Sequence, residues 1–577
     1  MKLVSADIEN FRSIKKCSIH FNEITAIVGE NNAGKSAILR ALNSFFNYKF
    51  EEPFFTNNTH RYDARTVTKI KLTFEDVPVK EIYNGKLIDD QLIVLFSYAY
   101  SRTTKGRSIY CLTPDGKINA ENTLTEIKKD IDFVYIPANR GTKDLSWEEN
   151  SIFTRLVEQY LYEYTKNRDS LSAQVKRVAS LLHKQALSRL EKELSELNML
   201  DSEKTYEVNF DDQMDYSILL SQLGISILEK GNVFPVAEYG NGIKSLTVIA
   251  LHRMLSKNNT DSIILGIEEP ESNLHPQAQR RLIASILNDR QEFETQAIFT
   301  THSTAIIDAL DHSDIVLVRR VNDEKRGFKS IASQLSNDFW QYHGITDYKH
   351  YNFFKYKNSD FFFAKYVILS ESITDAQVID NLIASDLKDN YYNISILSLD
   401  GVSNLKYPYF LLKDLNIPFS MVVDHDFFTP YLNDKLEASR DEESCLPIYK
   451  TEVKRKNPVI ADIWKSNEKM QELESKMSGS YSEQFKYLKK YGFLIMQYCL
   501  EMDLIGKSMA ARNMYYDRYN LTGEKRCVKE LLINRKEVVK DPWILLPIFK
   551  KLSASERPIS YKKIRVALVE LITQCLR

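Results

Sequence analysis

Cysteine is scarce in this chain, and its few copies lack a metal-binding or redox spacing. Among 577 residues there are 6 cysteines, and no two of them form a C-x-x-C motif. They are Cys17, Cys111, Cys445, Cys499, Cys527 and Cys575. A structural zinc site is therefore not expected, and neither is a disulfide framework in so long a chain.

An excess of one charge is also missing. The chain has 77 Lys and Arg against 78 Asp and Glu, which gives a formal net charge of −1. This balance argues against a basic tail for nucleic acid. It does not exclude a local basic groove.

Long apolar runs are the third absence. No segment approaches the roughly 18 uncharged apolar residues that a membrane-spanning helix needs. The opening residues, "MKLVSADIENFRSI", lack the apolar centre of a signal peptide. We therefore expect a cytoplasmic protein with no membrane association.

The length and composition predict a folded α/β protein with several domains. The chain is too long for one core, and its 43% hydrophobic and 27% charged residues are typical of folded proteins. Strand-like and helical patterns alternate over 1–150 and 231–336, and a second α/β pattern covers 361–577. Residues 151–230 are predicted to be helical, either as a dimerisation element or as solvated surface helices, and 337–360 to be a linker.

The segment "GENNAGKS" has the residue spacing of a phosphate-binding loop. It follows an apolar strand and opens a helical stretch, which is the context that this motif requires. The glycines allow backbone N–H groups to surround phosphates, the lysine reaches the terminal phosphates, and the serine is placed to bind Mg²⁺. The predicted nucleotide-binding residues are Gly29, Asn31, Asn32, Gly34, Lys35 and Ser36.

Two later strands end in residues that suit ATP hydrolysis. In "SIILGIEEPESNLHP" the apolar strand ends at Glu268 and Glu269. We predict that the first acid holds the Mg²⁺ shell and that the second activates the attacking water. The strand in "QAIFTTHST" ends at His302, which we predict to face the γ-phosphate. A contact with a helix dipole fits Glu271 better than it fits the preceding pair.

A second group of acids follows two other apolar strands. Glu371 and Asp375 come after "YVILS", and Asp424 and Asp426 come after "PFSMVV". Because neighbouring parallel strands end at one edge of a sheet, we predict that Glu371, Asp424 and Asp426 converge. Converging carboxylates require cations, and Mg²⁺ or Mn²⁺ prefers such oxygen ligands. Two alternatives remain: Ser372 and Asp375 could form only a helix capping box, and D-x-D could be a simple turn.

The nucleotide motifs, in this order, resemble those of the ABC-type ATPases of the RecF, SMC and OLD group. The opening "LVSADIENFRSIKKCSIHF" and the later "YIPANR" are similar to that group too. The resemblance implies a signature segment that caps the ATP of a second subunit in a head-to-tail dimer. "EYGNGIKSLTVIALHRML" occupies that place, and its phosphate-facing residues would be Gly240, Gly242 and Ser245.

The second acidic group resembles a TOPRIM domain, and the whole chain resembles the OLD family of ATP-dependent nucleases. That family includes the nuclease of Gabija systems and retron-associated effectors, and the resemblance covers 1–320 and 361–577. It implies that C-terminal acids and a lysine complete a two-metal site. The best matches are Glu501, Asp503 and Lys562, with Lys563 and Lys507 as alternative lysines. One departure is Ser372, where TOPRIM domains usually carry glycine.

The resemblance implies an ABC-type ATPase with a helical dimerisation insertion, followed by a TOPRIM domain with helical additions. The expected function is an ATP-binding, nucleotide-regulated DNA endonuclease that depends on Mg²⁺ or Mn²⁺ and acts in anti-phage defence. The expected partners are DNA and further copies of this chain, in a homodimer or a higher homo-oligomer. A companion defence protein or a retron RNA–DNA component is a further partner that this resemblance suggests.

An alternative function is a DNA-binding ATPase similar to RecF or SMC, with an inert TOPRIM-like domain. The sequence also contains a basic run, "KTEVKRK", at residues 450–456. It is a candidate DNA contact, although such a run is more often a solvated surface.

Overall fold

The computed structural model describes residues 1–101, 105–140, 145, 151–163, 165–190, 192, 223–257, 262–288, 294–324, 326–345 and 359–576. The chain forms two compact units. Unit 1 comprises Met1–Ile27, Asn31–Ala309 and Val318–Ala332, and unit 2 comprises Val28–Glu30, Leu310–Leu317 and Ser333–Arg577. Within the described ranges, no helix combines the length and the apolar character that a bilayer span demands.

Nineteen strands lie in the described residues. They are β1 (Lys2–Phe11), β2 (Ile14–His20), β3 (Ile24–Val28), β4 (Thr68–Glu75), β5 (Leu87–Ile88), β6 (Gln91–Ala99), β7 (Gly106–Thr113), β8 (Gly116–Asn119), β9 (Ile131–Ile136), β10 (Ser226–Glu229), β11 (Asn232–Pro235), β12 (Ser262–Glu268), β13 (Glu294–Thr301), β14 (Ile315–Asp323), β15 (Gly327–Ser333), β16 (Tyr366–Ser370), β17 (Ile394–Ser398), β18 (Phe419–Val423) and β19 (Phe493–Ile495).

One large sheet organises the nucleotide-binding part of the chain. Its strand order is β8-β7-β6-β4-β1-β2-β15-β14-β3-β13-β12-β9, and β5 pairs with β6. Strand β12 runs parallel to both β9 and β13, whereas β1 pairs antiparallel with β2 and β4. The central strand β3, "ITAIV", is buried along its whole length, as expected for a strand covered on both faces.

Eight helices accompany these strands in the described part of unit 1. They are α1 (Lys35–Phe46), α2 (Tyr48–Thr56), α3 (Glu121–Asp130), α4 (Ile152–Glu163), α5 (Thr165–Leu182), α6 (Asn241–Lys257), α7 (Pro276–Asn288) and α8 (Thr304–Ile307). Helix α1 begins directly after the glycine-rich loop and buries most of its apolar side chains. Its first turn is thereby fixed beside the phosphate-binding loop.

The predicted helical insertion is helical only in part. Helices α4 and α5 occupy its first half, and α4 packs on α6 through a cluster that includes Phe153, Leu156 and Val248. Strands β10 and β11 instead form a hairpin, because Lys230 and Gly231 both adopt the positive φ of a tight turn. Residues 193–222 of this predicted element lie outside the described residues.

A smaller, fully parallel sheet organises unit 2. Its order is β17-β16-β18-β19, with β16 parallel to β17 and β18, and β18 parallel to β19. The helices described in this unit are α9 (Phe339–Tyr342), α10 (Ile373–Leu387), α11 (Lys406–Asp414), α12 (Pro458–Ile463), α13 (Asn467–Met477), α14 (Tyr481–Lys489), α15 (Leu500–Lys507), α16 (Met509–Arg518), α17 (Lys536–Lys540), α18 (Pro542–Lys551) and α19 (Ile559–Leu576).

Part of the predicted linker belongs to the folded core of unit 2. The Trp340 ring stacks on Tyr407 with 5.4 Å between ring centroids, and His343 Nε2 lies 2.9 Å from Asp414 Oδ2. Residues 346–358 of the predicted linker lie outside the described residues.

Candidate functional site

The glycine-rich loop leads into α1 through a position that only glycine fits. Gly34 has φ 106, and a Cβ atom there would lie 2.4 Å from Ser330 Oγ and 2.7 Å from Ser13 Oγ. The next residue, Lys35, starts the helix and is 6% exposed. A helix N-terminus with free N–H groups attracts anions such as phosphate, which is the environment expected for a nucleotide.

Strand β12 delivers the two predicted acids to the same edge as β13. The Glu269 N–H donates to the Thr300 carbonyl oxygen at 2.9 Å, so the loop after β12 is tied to the end of β13. The Glu268 atom Oε1 is buried, and no residue in the described part of the chain bonds to it. A buried carboxylate oxygen with an unused lone pair suits a cation ligand.

His302 lies among the predicted ATPase residues. Burial lowers the pKa of His302, and the charge of Lys35 lowers it further, whereas Glu269 opposes the shift. The lysine, the second acid and the histidine are therefore close enough to act on one another. The His302 N–H also donates to Glu271 Oε1 at 2.6 Å, so Glu271 joins the two motif loops, a role that its sequence position does not indicate.

Arg140 connects the two segments that flank this site. One of its guanidinium nitrogens donates to Ser245 Oγ at 2.6 Å, and the other donates to the Glu268 carbonyl oxygen. Arg140 belongs to the segment "YIPANR", for which no chemical role was predicted. Nothing in a single sequence shows that this arginine reaches both segments.

The predicted signature residues do not all lie as expected. Ser245 is 4% exposed and its hydroxyl accepts a hydrogen bond from Arg140, so it is held within its own unit. A Cβ atom on Gly242 would lie 2.6 Å from the Asn273 carbonyl oxygen, so this glycine permits close packing of α6 on the loop after β12. Gly240, in contrast, has open space around it.

The second group of acids lies at the carboxyl edge of the unit 2 sheet. Glu371 directly follows β16, and Asp424 directly follows β18, which pairs with β16 in parallel. Burial, together with the charges of Asp426 and Asp375, raises the pKa of Glu371 to about 7. The Glu371 atom Oε2 is buried and has no hydrogen-bond partner in the described residues.

The pKa of Asp424 is raised by burial and by the same group of carboxylates. Burial raises its pKa well above the ordinary value, and Glu371, Asp375 and Glu501 contribute in the same direction. These carboxylates therefore repel one another inside a low-dielectric region, which is costly unless positive charge compensates it.

Asp375 has a structural role at the start of α10. Its Oδ2 accepts from the Ser372 N–H at 2.9 Å and from the Ser372 hydroxyl at 2.6 Å, which completes a capping box. The structural alternative for this pair is therefore observed, although Asp375 also contributes to the field at Glu371. Ser372 has φ −128, an extended backbone that any residue adopts, so glycine is not needed there.

Glu501 and a lysine that sequence analysis missed complete the acidic group. Lys540 Nζ lies 3.2 Å from Glu501 Oε1. Its positive charge lowers the pKa of Glu371 and of Asp375. Lys540 ends α17, in a stretch with several other charged residues, so no sequence pattern marks it.

Asp503 differs from its predicted role as a metal ligand. Its two oxygens accept the backbone N–H groups of Gln497 and Tyr498, each at 2.9 Å, and the residue is 0% exposed. Two positions apart on a helix, Glu501 and Asp503 point in nearly opposite directions. Burial raises the pKa of Asp503 to about 7, while its hydrogen bonds fix the turn between β19 and α15.

Lys562 also differs from its predicted role. Its Nζ donates to the Ser555 carbonyl oxygen at 2.7 Å. The alternative Lys563 donates to Ser482 Oγ at 2.9 Å, and Lys507 lies over the Tyr498 ring at 5.6 Å. Of Lys507, Lys540, Lys562 and Lys563, Lys540 is the one that the structure pairs with a carboxylate of this group.

The chemistry of this group fits a divalent cation. The side chains are hard oxygen donors, their mutual repulsion favours a positive ion, and Glu371 Oε2 has a free lone pair. No three His, Cys, Asp or Glu side chains in the described ranges are already arranged around one metal position.

Comparisons with known proteins match two parts of the chain. Residues 24–308 match the AAA domain family whose description refers to the AbiEii toxin of type IV toxin–antitoxin systems. Residues 362–426 match the family described as overcoming lysogenization defect protein-like, TOPRIM domain. These matches contain the phosphate-binding loop and the acids from Glu371 to Asp426.

Three relatives extend the similarity over longer stretches. An OLD nuclease of Thermus scotoductus is 23% identical over 458 residues, covering 73% of this chain and 81% of that protein. The Old nuclease of Escherichia phage P2 is 23% identical over 479 residues, covering 75% of this chain and 78% of that protein. The endonuclease GajA of Bacillus cereus is 24% identical over 358 residues, covering 54% of this chain and 50% of that protein. The predicted α/β fold and the resemblance to the OLD family are confirmed.

Proposed function

We propose that this chain, which joins an AAA-type ATPase domain to an OLD-like TOPRIM domain, is a nucleotide-regulated endonuclease that hydrolyses DNA with divalent metal ions. The relatives named as nucleases support a phosphodiester as the substrate. Mg²⁺ or Mn²⁺ is the metal that the oxygen donors favour.

The observation that carries this proposal is the group of carboxylates at the carboxyl edge of the parallel sheet. Glu371, Asp424 and Asp426 come from two neighbouring strands, and Glu501 approaches from α15. Their charges act on one another, and one lysine faces them. A structural group of this kind would be fully paired with cations, whereas within the described residues Glu371 Oε2 has no hydrogen-bond partner.

In this proposal the side chains have separate roles in hydrolysis. Glu371, Asp424, Asp426 and Glu501 would hold the metal, which when bound activates water and stabilises the leaving oxygen. Lys540 would add positive charge beside the scissile phosphate. Asp375 holds the first turn of α10 through Ser372 and so keeps Glu371 in place.

The ATPase unit would act as the switch. Its phosphate-binding loop, the acids at the end of β12 and His302 support a role in ATP binding and hydrolysis. We propose that nucleotide controls cleavage through a homodimer or a higher homo-oligomer. We also propose a role in anti-phage defence, which the resemblance to the OLD family implies, while the similarity to endonuclease GajA of Bacillus cereus supports the nuclease activity.

A plasmid-cleavage assay tests the proposal. Purified protein is incubated with supercoiled plasmid and Mg²⁺ or Mn²⁺, with and without nucleotide. Asp424→Asn should abolish nicking, whereas Asp517→Asn, which removes an exposed carboxylate paired with Arg526 at 3.1 Å, should not change it. Absence of metal-dependent nicking in the wild-type protein under all these conditions would refute the proposal.

One observation favours a second candidate, a DNA-binding ATPase with an inert second domain. In the described part of the chain, no three potential ligands already surround a common metal position. This candidate predicts DNA-stimulated ATP hydrolysis that is indifferent to Asp424→Asn, with no nicking. The same protein preparations decide between the two.

A further inference from the structure

Residues 428–456, which we call the arm, continue directly from the acidic group. The arm leaves and returns to the same place: the Lys454 N–H donates to the Phe428 carbonyl oxygen at 2.8 Å, and the Lys450 N–H donates to the Pro430 carbonyl oxygen at 2.9 Å. Between these bonds, Tyr431 and Tyr449 form an antiparallel bridge. The arm is thus an ordered extension of the segment that carries Asp424 and Asp426.

Stacked rings fasten the arm to that segment. The His425 ring lies 4.2 Å from Tyr449 at an interplanar angle of 28°. Tyr449 stacks in turn on Tyr431, with centroids 5.3 Å apart. Since His425 stands between the two aspartates of the acidic group, the position of the arm is set relative to those carboxylates.

The basic run 450–456 lies on the returning segment of the arm. Its lysine and arginine side chains differ in their partners. Lys450 Nζ pairs with Asp434 at 2.6 Å, and Arg455 forms a two-pronged pair with Glu474, at 2.8 and 2.7 Å. These two charges are therefore largely neutralised within the protein.

Lys454 and Lys456 have no carboxylate partner among the described residues, and both are exposed. Lys454 Nζ donates instead to the main-chain carbonyl oxygen of Asp426, which leaves its positive charge uncompensated. The side chain of the preceding residue, Val453, is 6% exposed and anchors this segment. Lys454 is thus held beside Asp426, and Lys456 lies two residues further along the same exposed segment.

An open groove adjoins these lysines. Its volume is about 1040 Å³, and it is lined by residues 451–457 together with Glu474, Ser475 and Ser478 of α13 and the turn after it. Because Arg455 neutralises Glu474, the remaining charged groups around the groove are Lys454, Lys456 and Glu452. A groove of this size with an excess of lysine accepts a phosphodiester backbone, which lysine recognises through charge.

We propose that the arm is a nucleic-acid-binding element. In this proposal Lys454 and Lys456 contact backbone phosphates of the nucleic-acid strand that is bound at the carboxylate group. This inference rests on the proposed function, because the acidic group supplies the cleavage site towards which the strand is directed. Contacts of this type position the substrate and carry no base specificity.

Binding is measured without cleavage, so that the two proposals can fail separately. Fluorescence anisotropy with a labelled 30-base-pair duplex, and with its single strand, is recorded in EDTA over a series of salt concentrations. The Lys454→Glu, Lys456→Glu double variant should bind the duplex at least about tenfold more weakly. The slope of the logarithm of its affinity against the logarithm of salt concentration should become shallower by about 1.8, since each lost phosphate contact removes about 0.9 from that slope.

A matched control reverses two exposed lysines elsewhere in unit 2. Lys469 and Lys486 lie on α13 and α14, are exposed, and have no ion-pair partner in the described ranges. The Lys469→Glu, Lys486→Glu variant should bind as the wild-type protein does. A Lys454→Gln, Lys456→Gln variant with an unchanged Tm repeats the test without reversed charge.

The outcomes separate clearly. A loss confined to the arm variants supports the proposal, even if no metal-dependent nicking is found. An equal loss in the control, or unchanged affinity and salt slope in the arm variants, overturns it, including the case in which the arm contacts an acidic protein instead. If the arm variants bind weakly but the plasmid is never cut, the arm proposal stands and the nuclease proposal fails.

Discussion

Gly34 is the residue at which the nucleotide-binding loop has the least room. Its φ of 106 and the two serine hydroxyls beside it leave no place for a methyl group. We predict that Gly34→Ala weakens ATP binding about tenfold or more, because relieving the clash and the strain, about 1–3 kcal/mol for such backbone conformations, displaces Lys35. A fluorescent ATP analogue measures the affinity.

Gly116 provides the control for that substitution. It has φ 131, but a Cβ atom there meets nothing within 4 Å. Gly116→Ala therefore introduces a similar backbone strain without the clash, and ATP binding should stay as in the wild-type protein. Equal affinity of both variants for ATP would contradict the steric account of Gly34.

Lys540 is the second residue whose role can be measured. Its Nζ lies 3.2 Å from Glu501 Oε1. Its positive charge also lowers the pKa of Glu371, and the charges of Glu501 and Asp424 raise the pKa of Lys540 in turn. We predict that Lys540→Ala lowers the rate of plasmid nicking about 10²-fold, the usual cost of removing one group that stabilises developing charge. Lys562→Ala, which removes only a bond to Ser555, should change the rate less than about twofold.

The reverse pattern, a nicking defect in Lys562→Ala and none in Lys540→Ala, would show that the lysine has been misassigned. A measurement of Mn²⁺ affinity separates charge stabilisation from metal binding, because Lys540→Ala should leave the affinity for the metal close to that of the wild-type protein.

Residues at strand ends were predictable, whereas residues that arrive from distant helices were not. Glu371, Asp424 and Asp426 follow apolar strands directly, and parallel pairing alone brings such positions to one edge. Lys540 reaches the same place from α17, and Arg140 reaches Ser245 across more than a hundred positions of sequence. A single sequence has no local pattern that records such long-range contacts.

At the scale of elements, strand periodicity was informative and helical patterns were less so. The apolar strands β3, β12, β16 and β18 occur where expected. The predicted helical insertion, 151–230, ends in strand β10, which pairs with β11 beyond it, because a two-residue turn at Lys230 and Gly231 outweighs the local helical pattern.

Helix α15 shows why an acidic pair on a helix was misread. Glu501 and Asp503 were grouped because both interrupt an apolar stretch. Only the fold reveals that the helix turns one acid towards the carboxylate group and the other onto the backbone N–H groups of Gln497 and Tyr498.

The partly buried residue His252 makes the free energy of unfolding of unit 1 depend on pH. It lines a cavity between α1, α2, β9, α4 and α6. The cavity is also lined by Arg40, Asp132 and Arg155, and its volume is about 430 Å³. Burial, together with the charges of Arg155 and Arg140, lowers the pKa of His252 from 6.5 to about 3. The native state therefore keeps this histidine neutral, while the unfolded chain takes up a proton below pH 6.5.

We predict that acid destabilises unit 1 in the window below pH 6.5, by up to about 1 kcal/mol per pH unit from this histidine. His252→Gln removes the titrating group, so its Tm should fall less between pH 7.5 and pH 5.5 than that of the wild-type protein. Differential scanning fluorimetry at both pH values measures the difference. Parallel decreases in Tm for the two proteins would contradict the assignment.

At the scale of the whole molecule, the chain places an ATPase unit and an acidic α/β unit in one polypeptide. The sequence predicted this order from two sets of motifs, and the family matches over 24–308 and 362–426 agree with it.

Regulation by nucleotide can be tested at this scale. Lys35→Ala removes the lysine that would hold the β- and γ-phosphates. We predict that ATP changes the rate of plasmid nicking by the wild-type protein and leaves the rate of the Lys35→Ala protein unchanged. A variant that still responds to ATP would show that the P-loop is not the regulatory site.

The central claim is that Glu371, Asp424, Asp426 and Glu501 together bind a divalent cation, and Mn²⁺ titration calorimetry on the nucleotide-free protein tests it most directly. The wild-type protein should show saturable binding, Asp424→Asn should weaken it about tenfold or more, and Ser36→Ala, which alters only the nucleotide site, should bind as the wild-type protein does. Equal Mn²⁺ affinity in wild-type and Asp424→Asn protein of unchanged Tm would contradict the account.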